Sequence, residues 1–160
     1  YDYYDNSFEG DTMEDIKNNL KFVKSHAPVV VTATGNTTGV DLQGFSGAAL
    51  LFDIGANGDT FSASVKFDLV IQESSDDATY TDVTANTSVT GGTVDSSGIF
   101  QTIDADGECS AVYGIGYVGG SRYIRGRIVA TGSHSTGTIV GATVIKGVPL
   151  SAPVTSDANA

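Results

Sequence analysis

From Phe61 to Ile71 apolar and polar side chains alternate almost without fault. Phe61, Ala63, Val65, Phe67, Leu69 and Ile71 fall on one side, Ser62, Ser64, Lys66 and Asp68 on the other, and only Val70 is out of step. A helix would repeat its apolar positions every three to four residues; a period of two describes a long strand with one buried and one wet face. The pattern therefore predicts a central strand with Phe67 and Leu69 in a core and Lys66 and Asp68 in solvent. Burying its apolar side contributes on the order of 10 kcal/mol before conformational entropy is set against it. The polar run Gln72-Glu73-Ser74-Ser75-Asp76-Asp77 reads as a loop, and Tyr80-Thr81-Asp82-Val83 returns to the core.

The remaining segments supply partners for that strand. Val29 to Thr34 is β-branched. Ala48 to Ile54 is apolar on nearly both faces, as an interior strand requires, and Gly55 to Asp59 is a strong turn signal. A weak strand is expected around Val89 and another over Ile99–Ile103. Cys109 to Tyr117 reads as a strand whose glycines point to close backbone approach or a bulge. Val118 to Ser121 reads as a hairpin turn, Arg122 to Thr131 as a strand with Tyr123, Arg125, Arg127 and Val129 on one face, and Thr138 to Lys146 as the last strand. About eight strands at these turn spacings predict an all-β chain, an antiparallel β-sandwich of jelly-roll-like or immunoglobulin-like type. Residues 1–27 are expected to form an N-terminal arm with a short helix, residues 28–148 the sandwich, and residues 149–160 a tail.

Composition narrows the function. The 160 residues carry 8 basic and 19 acidic side chains, a net charge of −11, so phosphate backbones are repelled and direct nucleic-acid binding is not expected. The single cysteine, Cys109, excludes an intrachain disulfide and reads as a small core residue, having no basic neighbour to lower its pKa. No apolar run approaches membrane-spanning length. His26 and His134 read as surface histidines outside any catalytic motif. Asp104 to Glu108 starts like a calcium loop, but Tyr113 stands where the closing glutamate is required, so no metal, cofactor or catalytic set is expected.

Two groups are left as candidate contact residues. Arg122, Arg125 and Arg127 hold three of the eight basic side chains within six positions. They form either a ladder paired with cross-strand acids or a basic stripe that docks an acidic partner. At the other end of the chain, Met13, Ile16, Leu20 and Val23 recur at helical spacing behind Thr12 and Asp15, which resemble a capping box. Ile16, Leu20 and Phe22 would then offer apolar surface to a neighbour; an extended arm is the alternative, since Asn18 and Asn19 are poor helix formers. The acidic stretch before Met13 reads either as a flexible arm or as one whose tyrosines and Phe8 dock on an adjacent subunit.

A wider resemblance runs through the chain. DIKNNLKFVKSHAP from Asp15 to Pro28, VDLQGF from Val40, LVIQESSD from Leu69, YTDV from Tyr80, YVGGSRYIRGRI from Tyr117 and VIKGVPLSAP from Val144 form a series that resembles small head-associated structural proteins of tailed bacteriophages and prophages. The resemblance implies a decoration or cement protein on the capsid surface of a virion, with the major capsid protein as partner and a homo-oligomer, a trimer, as its working form. The alternative is a carbohydrate-binding β-sandwich that mediates surface attachment, using Tyr113, Tyr117 and Tyr123 as sugar platforms.

Overall fold

The computed structural model describes residues 16–151. A single turn of helix, α1 (Ile16–Asn19), leads into eleven strands: β1 (Lys21–Val31), β2 (Gly35–Asn36), β3 (Val40–Asp41), β4 (Phe45–Ile54), β5 (Lys66–Ser74), β6 (Thr81–Asp82), β7 (Val89–Thr90), β8 (Ile99–Ile103), β9 (Ala111–Tyr117), β10 (Tyr123–Thr131) and β11 (Thr138–Pro149). They form an antiparallel β-sandwich. One sheet has the order β1-β11-β4-β9-β7; the other has β2-β10-β5-β6, with β3 also on β10 and β8 also on β5.

The expected central strand is central: β5 lies between β10 and its partners β6 and β8. Phe67, Leu69 and Ile71 are fully buried and Phe61 nearly so. Three features differ from the expectation. The strand starts at Lys66, because Ser62 and Val65 exchange backbone hydrogen bonds and turn the chain, leaving Ala63 exposed. It continues through Ser74, so the first half of the polar run is strand. Its outer face is not wet: Asp68, Gln72 and Ser74 are buried, because neighbouring side chains arch over them. Asp68 accepts hydrogen bonds from Thr102 Oγ1 and Lys66 Nζ, the latter at 3.1 Å, and Gln72 bridges Arg125 and Asp82.

The core lies between the inward sides of both sheets, with Leu50, Phe52 and Ile54 of β4 facing Ile124 and Ile128 of β10 and the β5 set. β4 is an interior strand, flanked by β11 and β9. The Val118–Ser121 turn is not a hairpin: β9 and β10 belong to different sheets, so the turn arches across the sandwich. Close approach at the β9 glycines is borne out, since a Cβ on Gly114 would touch Leu51 and one on Gly116 would run into Thr90.

The expected boundary at residues 27 and 28 is corrected. β1 begins at Lys21 and runs through Pro28, pairing with β11 from Lys21↔Lys146 to Val31↔Thr138. β1 is an edge strand, and its register slips between His26 and Val29, so the missing N–H of Pro28 breaks no ladder bond. The helix is only Ile16–Asn19, and Val23 pairs as a strand residue with Val144. Thr12 and Met13 lie outside the described residues. The tail boundary also moves, since β11 includes Pro149.

Where the β4–β5 and β10–β11 connections meet, Asp59 accepts the backbone N–H groups of Thr136 (2.9 Å) and Gly137 (2.7 Å). The bond from Thr136 first, and that from Gly137 with it, holds the Asp59 carboxyl below the ordinary carboxylate range. A carboxyl whose folded pKa lies below its unfolded value of about 3.9 stabilises the fold above that pH and loses the contribution as pH falls through the folded pKa. Asp59→Asn is expected to lower the melting temperature at neutral pH, with the gap to the natural chain closing below about pH 4. Thermal melts of both proteins across that range check it; a gap independent of pH would show that the charge is not what matters.

Candidate functional site

The six candidate contact residues fall on two sides of the sandwich. Outward on β10 stand Tyr123, Arg125 and Arg127, as the alternation predicts, with Arg122 just before the strand; Ile124, Gly126 and Ile128 point into the core. Ile16, Leu20 and Phe22 belong to the other sheet's outer side. Leu20 lies over Gly147 of β11, and Phe22 stands opposite Ile145. One flat contact cannot use both groups.

On the β10 side the arginines differ. Arg122 forms a two-pronged ion pair with Asp41 (Nε 3.0 Å, Nη2 2.6 Å) and also reaches Gln43. That guanidinium holds the Asp41 carboxyl below its ordinary range. Arg125 donates to Gln72 Oε1 at 2.8 Å and lies 4.0 Å from the centre of the Tyr80 ring. The ladder reading thus holds for Arg122, whose partner is a cross-strand acid, while Arg125 is satisfied by an amide and an aromatic face. Arg127, half-buried and paired in register with Asn36 and Val70, has no ion pair or hydrogen bond from its side chain among the described residues. A charged group without a partner on a sheet face is free to accept one from outside.

The opposite outer face is apolar. Every exposed large apolar side chain among the described residues, from Ile16 and Phe22 to Leu150, lies in α1, β1, β9 or β11 or directly follows β9 or β11. Across four strands, Phe22, Ile145, Ala49 and Gly116 form one row and Lys24, Thr143, Leu51 and Gly114 the next. At the end near Gly47 and Gly147 the face holds a shallow groove of about 260 Å³, walled by Leu20, Ala49, Ile145 and Val118. The pattern in β9 and β11 that signals this face, outward glycines alternating with core residues, was present in the sequence as glycines within strands.

Most groups available for chemistry are engaged structurally, the His26 Nε2 being buried without a hydrogen-bond partner among the described residues. His134 is buried, not exposed: its ring stacks on Phe67 with centroids 4.3 Å apart, and its Nε2 lies 3.0 Å from the Thr131 carbonyl. His26 is half-buried on β1. Cys109 packs against the core, and burial first, then Asp106 and Glu108, push its thiol pKa up. Asp106 accepts the Phe61 N–H, and Glu108 accepts those of Asp104 and Ala105, which explains the acidic cluster by backbone capping. Among the described residues no group of three or more His, Cys, Asp or Glu side chains could hold a metal ion. The tyrosines do not form an open platform: Tyr117 is buried against Glu73, Tyr113 donates to the Glu108 carbonyl, and Tyr123 lies beneath the Arg122 guanidinium. Burial first, and the hydrogen bond to Glu73 with it, push the Tyr117 hydroxyl up to about 12.

Fold and surface together define a class, an antiparallel β-sandwich with one charged and one apolar outer face. No protein-family model matches the chain, and no curated protein matches it in sequence.

Proposed function

We propose that this protein is a structural virion component, a decoration or cement protein that binds the outside of a major capsid shell in many identical copies, as a trimer. The observation that supports the reading is the division of the sandwich into two unlike faces, one bearing the Arg127 guanidinium, unpaired among the described residues, and the other apolar and glycine-rich. Such a scaffold suits a protein that contacts a shell through one side only. The sequence resemblance to head-associated phage proteins points the same way.

The β10 face is the one turned to the shell. In a chain of net charge −11, Arg127 is a cation without a partner among the described residues, and an acidic patch on the capsid would complete it. Single contacts of this kind are weak, but simultaneous capture by several neighbouring subunits raises the effective affinity by orders of magnitude, roughly 10²- to 10⁴-fold. Co-sedimentation with undecorated capsids is the test. The natural chain is expected in the capsid pellet at low salt and to be released as salt screens the contact, and Arg127→Glu is expected to weaken capture by about tenfold or more. Unchanged capture of Arg127→Glu with loss for Phe22→Glu would move the contact to the apolar face. A natural chain that stays in the supernatant under every condition would sink the capsid reading.

A further inference from the structure

We infer that the apolar outer face of the β1-β11-β4-β9-β7 sheet is covered by the chain's own first fifteen residues, with the aromatic side chains of Tyr1 to Phe8 packed on its exposed apolar side chains and at Gly114. This does not depend on the capsid reading.

The face asks for a cover. Soluble proteins rarely leave a contiguous apolar patch beyond a few hundred Å² unless something binds it, and here the exposed apolar side chains of the described residues are gathered on one side. Its relief is equally specific. Gly114, Gly116, Gly141 and Gly147 occupy outward positions on two strands, leaving backbone where side chains would stand. Glycine gaps in a sheet are filled well by aromatic rings laid across them from a neighbouring segment. Within the sheet, Pro28 already does this at Gly141 and Leu20 at Gly147. Thr90 fills the space at Gly116, and Leu51 borders Gly114, which stays exposed on its outward side.

The first fifteen residues have the matching chemistry. They hold Tyr1, Tyr3, Tyr4 and Phe8, together with six acids (Asp2, Asp5, Glu9, Asp11, Glu14, Asp15) and no basic residue. The face they would cross carries Lys24, and α1 beside it carries Lys17; neither lysine has an ion pair among the described residues. Asp53, farther along the face, is its acid. The segment also starts in the right place. It joins the described chain at Ile16, in the helical turn that contacts β11, where Leu20 sits on Gly147 at the mouth of the groove. Fifteen extended residues span up to about 50 Å, more than the roughly 40 Å of the twelve-residue β11, so the segment reaches across the face without leaving its own molecule. Tethering then supplies an effective concentration on the order of millimolar.

Methyl NMR on the full chain tests this. Aromatic rings lying on the face shift the methyl resonances of Leu51 and Ile145. In the variant Tyr1→Ser, Tyr3→Ser, Tyr4→Ser, Phe8→Ser those signals are expected to move, while the core methyls of Leu69 and Ile71 stay in place and report an intact fold. The expected pattern is the same at every protein concentration. Face methyls that do not respond to the four substitutions overturn the inference. A response that appears only as concentration rises assigns the cover to another copy's segment and overturns the intramolecular form. A response seen only when capsids are added assigns the face to the shell and overturns it outright.

Discussion

Phe67→Ala is expected to destabilise the fold by about 3–5 kcal/mol, the largest effect of any single truncation in β5. Phe67 is fully buried, edge-on to Phe61 with centroids 5.4 Å apart and stacked on the His134 ring. Removing the phenyl leaves a void walled by two rings that cannot close in. Phe61 is held by the Asp106 carboxylate on its backbone N–H, and His134 by the Thr131 carbonyl. Sites that cannot collapse sit at the upper end of the cavity penalty. The adjacent Lys66→Ala should cost about 1 kcal/mol, since its ammonium pairs at 3.0 Å with an Asp68 that keeps its bond from Thr102. Chemical denaturation of both variants with an unchanged slope checks the pair. Equal losses would mean that the register of β5 is inverted.

The periodicity of β5 was legible because alternation depends only on which side chains face a core. It named Phe67, Leu69 and Ile71 correctly and placed Tyr123, Arg125 and Arg127 together on the outer side of β10. It could not foresee that Asp68 and Gln72 would be buried. Their cover comes sideways from Thr102 on β8 and Arg125 on β10, and period-two reasoning about one strand knows nothing of its lateral neighbours. The hairpin expected at Val118 to Ser121 failed for a related reason. Local turn chemistry tells that the chain reverses, but not whether the next strand joins the same sheet or the facing one.

At the N-terminus, Ile16, Leu20 and Val23 fit a helical spacing, yet the helix stops at Asn19 and the chain from Lys21, Val23 included, pairs as a strand once an edge is offered. Pairing along β11 supplies many hydrogen bonds, whereas a short isolated helix is marginal in water. Of the candidate contact residues, the sequence showed the clustering of the arginines but not which would be spent internally. That depended on Asp41 and Tyr80 arriving from distant strands, and it left Arg127 as the group available to a partner.

Gly126→Val is expected to destabilise the protein by about 3 kcal/mol, through overpacking instead of a cavity. Gly126 is the inward position between Arg125 and Arg127, and the space its side chain would fill belongs to Phe52 of the opposite sheet. A Cβ there would stand 2.9 Å from Phe52 Cε2, closer still to Cζ, and 3.3 Å from Thr37 Cγ2. Phe52 is fully buried, so its ring has nowhere to swing. The backbone cannot retreat either, because Gly126 exchanges hydrogen bonds with Thr37, donating to Thr37 Oγ1 and accepting from the Thr37 N–H, both at 2.9 Å. The substitution leaves Arg125 and Arg127 outward, so it separates stability from surface charge. Shrinking the ring should relieve it: Phe52→Leu alone removes buried volume and destabilises, but combined with Gly126→Val it should recover part of the loss. The coupling between the two is expected to exceed about 1 kcal/mol, well beyond the few tenths typical of independent sites. A double-mutant cycle by denaturant unfolding measures it directly, and strict additivity of the two substitutions would show that the Phe52 ring does not occupy the Gly126 position.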